Sequence, residues 1–415
     1  MKKPLPSHET WLARLTDHLQ EERYHPGTAR RSIAVARSFL AFLERLRIAI
    51  ADAQPETVER YLKLAERRYR QRHGHSPEYA GWRCSHTNGI HMLLRMVHSQ
   101  WPPAPRPVNP FELYRRKQCD DFAASLVELR GFAPETVAER RDEACRFLDW
   151  LAERATVDLA GLSVTDVDLY MKHRAGPLRR ASIKGVATKL RSFLRWLHAT
   201  GKTTRDLSGA VIAPSLYGFE SILSALRPQD VQRILPIAHQ DRTAKGLRDY
   251  AILMLLARYG VRAGEITGLR LEDVDWHKEI IRIRHSKTGG TSYLPLLPEV
   301  GEAILTYLQR ARPRTSSREL FIRNRAPFRA FRSGSSLYTP IRRRIDAAEV
   351  PAGGKRGPHT FRHARAVSMI RASVTLKAIG DVLGHRASDS TLVYLKLATE
   401  DLRAIALEIP AEVKQ

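Results

Sequence analysis

Cysteine is scarce in this chain. The 415 residues hold three, Cys84, Cys119 and Cys145, all in the N-terminal half and without the short paired spacing of a zinc site. A disulfide framework is thereby excluded, and a reduced intracellular protein is expected. Long apolar runs are missing too. The longest, Tyr250 to Ala257, is far too short to cross a bilayer. Met1-Lys2-Lys3-Pro4 is followed by no apolar core, so neither a membrane anchor nor a signal peptide is expected. Acidic residues are few: 44 Asp and Glu stand against 69 Lys and Arg, a formal net charge of +25. Spread along the whole chain, that excess favours an anionic partner such as nucleic acid over a merely solvated basic surface. The length allows roughly two to four domains, each with its own core.

What is present begins with a duplication. Residues 25–46, HPGTARRSIAVARSFLAFLERL, align without a gap on residues 133–154, APETVAERRDEACRFLDWLAER. Pro26 meets Pro134, Thr28 meets Thr136, Phe39-Leu40 meets Phe147-Leu148, and Phe42 meets Trp150. Further on, Thr57 to Leu62 echoes Asp166 to Met171, and Gly89, Leu94 and Arg95 return as Gly185, Leu190 and Arg191. Each copy reads as a bundle of about four helices with an aromatic-rich apolar stripe and a capped start at Thr28 or Thr136. The copies span 1–102 and 111–204. Between them, 103–110 is a stiff Pro-rich linker, and 205–226 reads as a flexible joint.

The second bundle carries basic clusters at Arg115, Arg116 and Lys117 and at Arg179, Arg180, Ser182 and Lys184. The latter stands before a helix whose first amides, with Ser182, suit a phosphate. A solvated basic face is the plain alternative. The first bundle has its own run, Arg67-Arg68-Tyr69-Arg70-Gln71-Arg72; its role is left open between an added DNA contact and a protein contact.

A last region, 227–415, is organised around Gly357 to Lys396. His359 and Arg362 lie three apart, on one face if Pro358 opens a helix. A Leu383-Gly384-His385 turn follows, and Tyr394 comes nine residues later. Upstream, residues 246–257 read as a buried helix. Gly260 lets the backbone turn so that Arg262 points inward, with Glu265 as its buttress. The helix is expected to resume through Ile266 and Leu269, closed by Asp273 and Asp275. Ile280 to Arg284 alternates as a strand, Lys287 to Gly290 turns, and Ser292 to Leu296 returns, which puts Lys287 on a hairpin. Residues 312–335 read as basic loop, and 336–348 as helix. Lys355 and Arg356 then stand in a loop feeding the last helices.

In order and spacing, Gly260 to Glu265, Lys287, His359 to Arg362, Leu383 to His385 and Tyr394 resemble the tyrosine recombinases, the phage integrase family. The likeness covers about 225–400, and 111–202 resembles that family's core-binding domain. Phe361, Ala364 and Leu395 depart from the usual residues but are packing neighbours. The resemblance implies a mainly α protein: helical, SAM-like core-binding bundles followed by an α+β catalytic domain with a small sheet. It also implies a DNA strand-exchange enzyme needing neither metal nor ATP, with no cofactor. Arg262, Lys287, His359, Arg362, His385 and Tyr394 are its catalytic set, Tyr394 the nucleophile forming a 3′-phosphotyrosyl link. Double-stranded DNA is the expected partner, bound by a homo-tetramer on two sites with exchange of the C-terminal tail. Partner recombinases or accessory proteins are possible additions, and the place of action is the cytoplasm, on the nucleoid. Integration, excision or transposition of a mobile element is the favoured role.

The residue chemistry agrees. Two guanidiniums offer planar forks for the oxygens of a phosphodiester, and such fixed donors are usually the largest catalytic effect. A tyrosine of ordinary pKa is ionised about one part in a thousand at pH 7, a penalty of roughly 4 kcal/mol that a cationic site offsets. Lys287 is placed to protonate the leaving oxygen, and His363 is expected to be structural or a supporting partner. Metal chemistry fits poorly, because Asp381 and Asp389 stand alone where a two-metal site wants clustered carboxylates. The alternatives are a relaxing enzyme of the type IB topoisomerase kind and a catalytically idle DNA-binding accessory factor.

Overall fold

The computed structural model describes residues 8–77, 80–98, 100–103, 109–154, 158–216, 226–285, 289–350 and 356–384. They sort into two compact units, Met1–Pro103 with Ile222–Gln415, and Ala104–Ser221. The first unit opens with α1 (His8–Glu21), α2 (Pro26–Arg45), a 3-10 turn (Ile50–Asp52), α3 (Pro55–His73) and α4 (Ala80–Val97). The second unit repeats that order: α5 (Pro110–Glu128), α6 (Pro134–Glu153), a 3-10 turn (Leu159–Gly161), α7 (Val164–Ala175) and α8 (Arg180–Ala199).

The residues aligned by sequence do the same structural work. Phe39, Leu40, Phe147 and Leu148 are fully buried. Tyr61 packs edge-on against Phe39 (5.3 Å) and Phe42 (5.6 Å). Tyr170 does so against Phe147 (4.9 Å) and Trp150 (5.5 Å). The 3-10 turns each bury one aliphatic residue, Ile50 or Leu159.

Two readings of these bundles are corrected. Thr28 and Thr136 do not cap their helices. Proline at the first helical position drives its predecessor to extended backbone, so the caps fall on His25 and Ala133. The His25 Nδ1 accepts from the Gly27 amide at 3.2 Å. The joint after the second bundle also starts later than expected. Leu207 and Val211 bury into the bundle core around a 3-10 turn, Ser208–Ala210, and Arg191 donates to the Val211 carbonyl at 2.6 Å. Cys119 and Cys145 are free thiols that meet between α5 and α6, sulfurs 2.7 Å apart.

The rest of the first unit surrounds α10 (Ala244–Tyr259), a helix buried along nearly its whole length as its apolar run requires. It packs against α9 (Pro228–Gln240), α12 (Pro298–Arg310) and α14 (Pro358–Arg371). The expected continuation through Leu269 stops short. α11 is only Ala263–Thr267, and Leu271–Asp273 forms a 3-10 turn leading into β1 (Val274–Asp275). β2 (Ile280–Arg284) and β3 (Thr291–Pro295) complete an antiparallel sheet in the order β1-β2-β3, with Arg284 opposite Thr291. Ile281 and Ile283 point into the core. Arg282 and Arg284 leave by the other face, where the buried Asp273 takes both. Residues 312–335 hold little regular structure, as expected, before α13 (Tyr338–Ala347), α14 and α15 (Leu376–Leu383). The protein is thus mainly α, with helical bundles and one α+β region built on a small sheet. No helix among the described residues is long and apolar enough to cross a membrane.

Candidate active site

Two arginines from distant segments meet at one turn. Gly260 ends α10 in left-handed backbone, φ +67°, where a side chain is strained. The chain then reverses, and Arg262 becomes the residue preceding α11. Glu265 holds it twice, accepting from its backbone amide (2.7 Å) and from Nη1 (2.8 Å). Arg362, on the buried face of α14 and 3 % exposed, donates to the Gly260 carbonyl (2.8 Å) and the Leu383 carbonyl (2.6 Å). Arg262 donates to the next carbonyl, that of Gly384, at 3.3 Å. The guanidiniums are therefore anchored on consecutive carbonyls of the turn that ends α15. Pro358 does open α14, as the spacing required.

The turn is pinned by a residue that sequence reasoning passed over. His285, 4 % exposed, lies 2.8 Å from Glu265 through Nδ1 and 2.8 Å from the Ser292 hydroxyl through Nε2. With Nδ1–H donating to the carboxylate, Nε2 is left to accept from Ser292. A Cβ on Gly384 would stand 2.4–2.5 Å from this ring, and Gly384 also has a φ of +64°. His285 thus ties the hairpin, the Arg262 buttress and the arginine-bearing turn together. Its amide and carbonyl also close the hairpin loop, through Gly290 (2.8 Å) and Gly289 (2.7 Å). The sequence signal for it was a histidine directly after the strand β2.

His359 is exposed on the first turn of α14, its ring 6.2 Å from that of His363. Phe361 and Ala364 are buried, as packing neighbours should be. Arg365, about one turn past Arg362 on α14, has the start of its side chain beside Gly260. Burial, and then the charge of Arg258, hold its guanidinium below the usual arginine range. Among the described residues, Arg262 and Arg362 stand against the single carboxylate of Glu265 at this turn, an excess of positive charge that suits an anion gaining charge during reaction. Lys287, Lys355, His385, Tyr394 and the tail 400–410 lie outside the described residues.

The basic clusters differ among themselves. Arg115 pairs with Asp149 (2.7 Å), Arg116 with Glu112 (2.9 Å) and Arg356 with Asp346 (2.7 Å), while Lys117 is exposed. Arg179, Arg180, Ser182 and Lys184 are all exposed; Arg179 stands just ahead of α8, and the other three lie in its opening residues rather than ahead of it. Arg180 reaches the Ser215 carbonyl at 2.8 Å.

A helical bundle joined to this α+β region is the architecture of a solved lambda integrase tetramer bound to a Holliday junction. That structure matches 75 % of this chain and 86 % of its own, with a TM-score of 0.52 at 15 % identity. The phage integrase family model matches residues 224–401. From Sinorhizobium fredii (strain NBRC 101917 / NGR234), y4rA, provisionally named an integrase/recombinase, is 32 % identical over 407 residues, 97 % of this chain and 95 % of the relative. A second such protein of that strain, y4gC, is 56 % identical over 187 residues, 45 % of this chain and 96 % of its own length. The chain belongs to the phage integrase family, the tyrosine-type site-specific DNA recombinases.

Proposed function

We propose that this recombinase cuts and rejoins DNA through Tyr394, with Arg262 and Arg362 holding the two non-bridging oxygens of the phosphodiester. The observation that supports this most is the anchoring of both guanidiniums on the carbonyls of Leu383 and Gly384, the residues that lead into His385. The Tyr394 oxygen attacks phosphorus and the bond to the 5′-oxygen breaks, leaving a 3′-phosphotyrosyl link. The phenol proton passes to His359 or His385, and the departing oxygen takes a proton from Lys287. Glu265 fixes Arg262, and His363 supports α14. Attack by a 5′-hydroxyl from another strand reverses the step, so the bond energy is conserved.

The second bundle serves as the clamp on double-stranded DNA, through Lys117 and the exposed start of α8, with Lys355 and Arg356 approaching beside the catalytic region. A homo-tetramer on two DNA sites, linked by exchange of the tail 400–410, is the working assembly, and a mobile element is the substrate. A nicked duplex carrying a sequence selected from random DNA for binding to the wild-type chain tests the reading on a denaturing gel. The wild-type chain should form a covalent adduct that Tyr394→Phe abolishes and Arg362→Ala cuts by about a hundredfold or more. An adduct surviving in Tyr394→Phe overturns the assignment.

A further inference from the structure

One cleft in the first bundle is filled in the second. Between α6 and α7 the buried Glu143 accepts from the Tyr170 hydroxyl (2.5 Å) and from two nitrogens of Arg174 (3.0 Å each). Laying Pro26 on Pro134 sets Val35 opposite Glu143, and laying Tyr61 on Tyr170 sets Ala65 opposite Arg174. Both replacements are short and apolar. They leave a cavity of 370 Å³ between α2, α3 and α4, with Tyr61 in its wall.

The rim of that cavity is cationic and aromatic. Arg31 stands on α2, and Arg68 and Arg72 on α3, all three exposed. Among the described residues none of them has an acidic partner. Elsewhere on the second bundle, Arg115, Arg116, Arg141 and Arg146 each meet a carboxylate. The half-buried Tyr69 ring lies 4.3 Å from His73 and 6.1 Å from Trp82. Three like charges held around a hollow repel one another unless an anion enters. Flat rings at the same opening suit the face of a base, because every nucleobase presents a π-face for stacking. The volume also falls within the usual range for small-molecule sites.

We infer that this cleft binds a nucleobase together with its phosphate, the phosphate held by Arg31, Arg68 and Arg72 and the base stacked on Tyr69 and His73. The supplier is either a locally unpaired DNA strand or a free nucleotide. The site is separate from the arginine pair at Leu383 and Gly384 and stands whatever the fate of the strand-exchange chemistry.

The test is photo-crosslinking of the full-length Tyr394→Phe protein to a short thymine-rich oligonucleotide carrying 5-iododeoxyuridine, with adducts mapped by mass spectrometry. No covalent catalysis enters the readout, so failure here leaves the recombinase reading untouched. An adduct is expected on the peptides holding Tyr69, His73 or Trp82. It should fall about tenfold or more in Arg68→Ala with Arg72→Ala, both exposed and tolerant positions. Val35→Glu with Ala65→Arg, which rebuilds the second bundle's ion pair inside the hollow, should remove it as well. Thymidine monophosphate that competes as well as unlabelled oligonucleotide identifies a free nucleotide as the occupant, and weak competition identifies a strand. Adducts confined to residues beyond 109, or an adduct indifferent to the arginine substitutions, overturn the proposal.

Discussion

The two helical bundles share a skeleton and differ in what they do with its interior. Both place a tyrosine edge-on against two aromatic rings of the preceding long helix, and in both the first of those rings is fully buried. Around that common centre the second bundle joins a buried carboxylate and a buried phenol to a partly exposed arginine in one bonded set, with a thiol pair nearby. The first has valine and alanine there and opens a cavity. The comparison separates two kinds of constraint. Ring packing sets the path of the helices, while the polar groups beside it are replaceable as a set.

The largest effect follows from the shared part. Phe39→Ala and Phe147→Ala should each cost about 3–5 kcal/mol, the range for emptying a buried phenylalanine site, read from urea unfolding with amide exchange of α2 and α6 as local reporters. Costs matching within about 1 kcal/mol sharpen the likeness; a near-neutral result for either breaks it. Next comes the part that differs. Glu143→Ala strands Arg174 and the Tyr170 hydroxyl, and losing one partner of a buried pair typically costs about 3–5 kcal/mol. Arg174 remains partly exposed (21 %), which places the expected loss at about 3 kcal/mol or less. Val35→Ala at the equivalent position removes only apolar contact and should cost about 1 kcal/mol.

A third outcome concerns pH. Burial raises the Glu143 carboxyl, but hydrogen bonds from Arg174 and Tyr170 outweigh it, and the net shift is downward. A depressed carboxyl contributes stability above its unfolded value, near pH 4.3, and loses it as pH falls through the folded value. Tyr170 is raised, by burial first and then by its bond to Glu143. Tyr61 is raised mainly by burial. Raised phenols contribute fully below about pH 10 and lose that contribution as pH rises. Exchange protection should therefore fall at high pH in both bundles, but toward low pH through this set in α6 only. Glu143→Gln should remove that acid-side change and leave the alkaline one. An equal acid-side loss in α2 would break the comparison.

How much of this was legible beforehand depended on the distance over which each effect acts. The two hairpin strands β2 and β3, the long buried helix and the His359 to Arg362 spacing are local patterns, and they read directly, whereas β1 lies where a helix was expected to close. The meeting of Arg262 and Arg362 was legible only because both fall in ordered motifs of a known family; nothing in spacing alone brings them to one turn. His285 escaped because its partners, Glu265, Ser292 and Gly384, come from three segments. The caps were misplaced because a threonine signal competes with a proline two positions earlier, and the proline's steric demand wins. The arginine run of the first bundle was plain to see. That Arg68 and Arg72 go without an acid among the described residues, while Arg115 meets Asp149 of the next helix, is decided by neighbouring helices.

The smallest expected effect separates the bundles by what they adjoin. The second is a unit by itself, whereas the first shares a unit with the catalytic region. Glu22, in the turn between α1 and α2, accepts from Arg329 at 2.9 Å, and Arg23 reaches the Arg314 carbonyl at 3.4 Å. Arg329 is 65 % exposed and Glu22 29 %, so solvent screens the pair heavily. Arg329→Ala should cost under about 1 kcal/mol of unfolding free energy, and the difference should vanish at about 1 M salt, where the screening length is about 3 Å. A loss above about 2 kcal/mol, or one that salt does not erase, would mean that this side chain supports apolar packing between the first bundle and the catalytic region. The grouping of those two parts would then be a property of the folded chain in solution, and the duplicate bundles would differ in attachment more deeply than in their interiors.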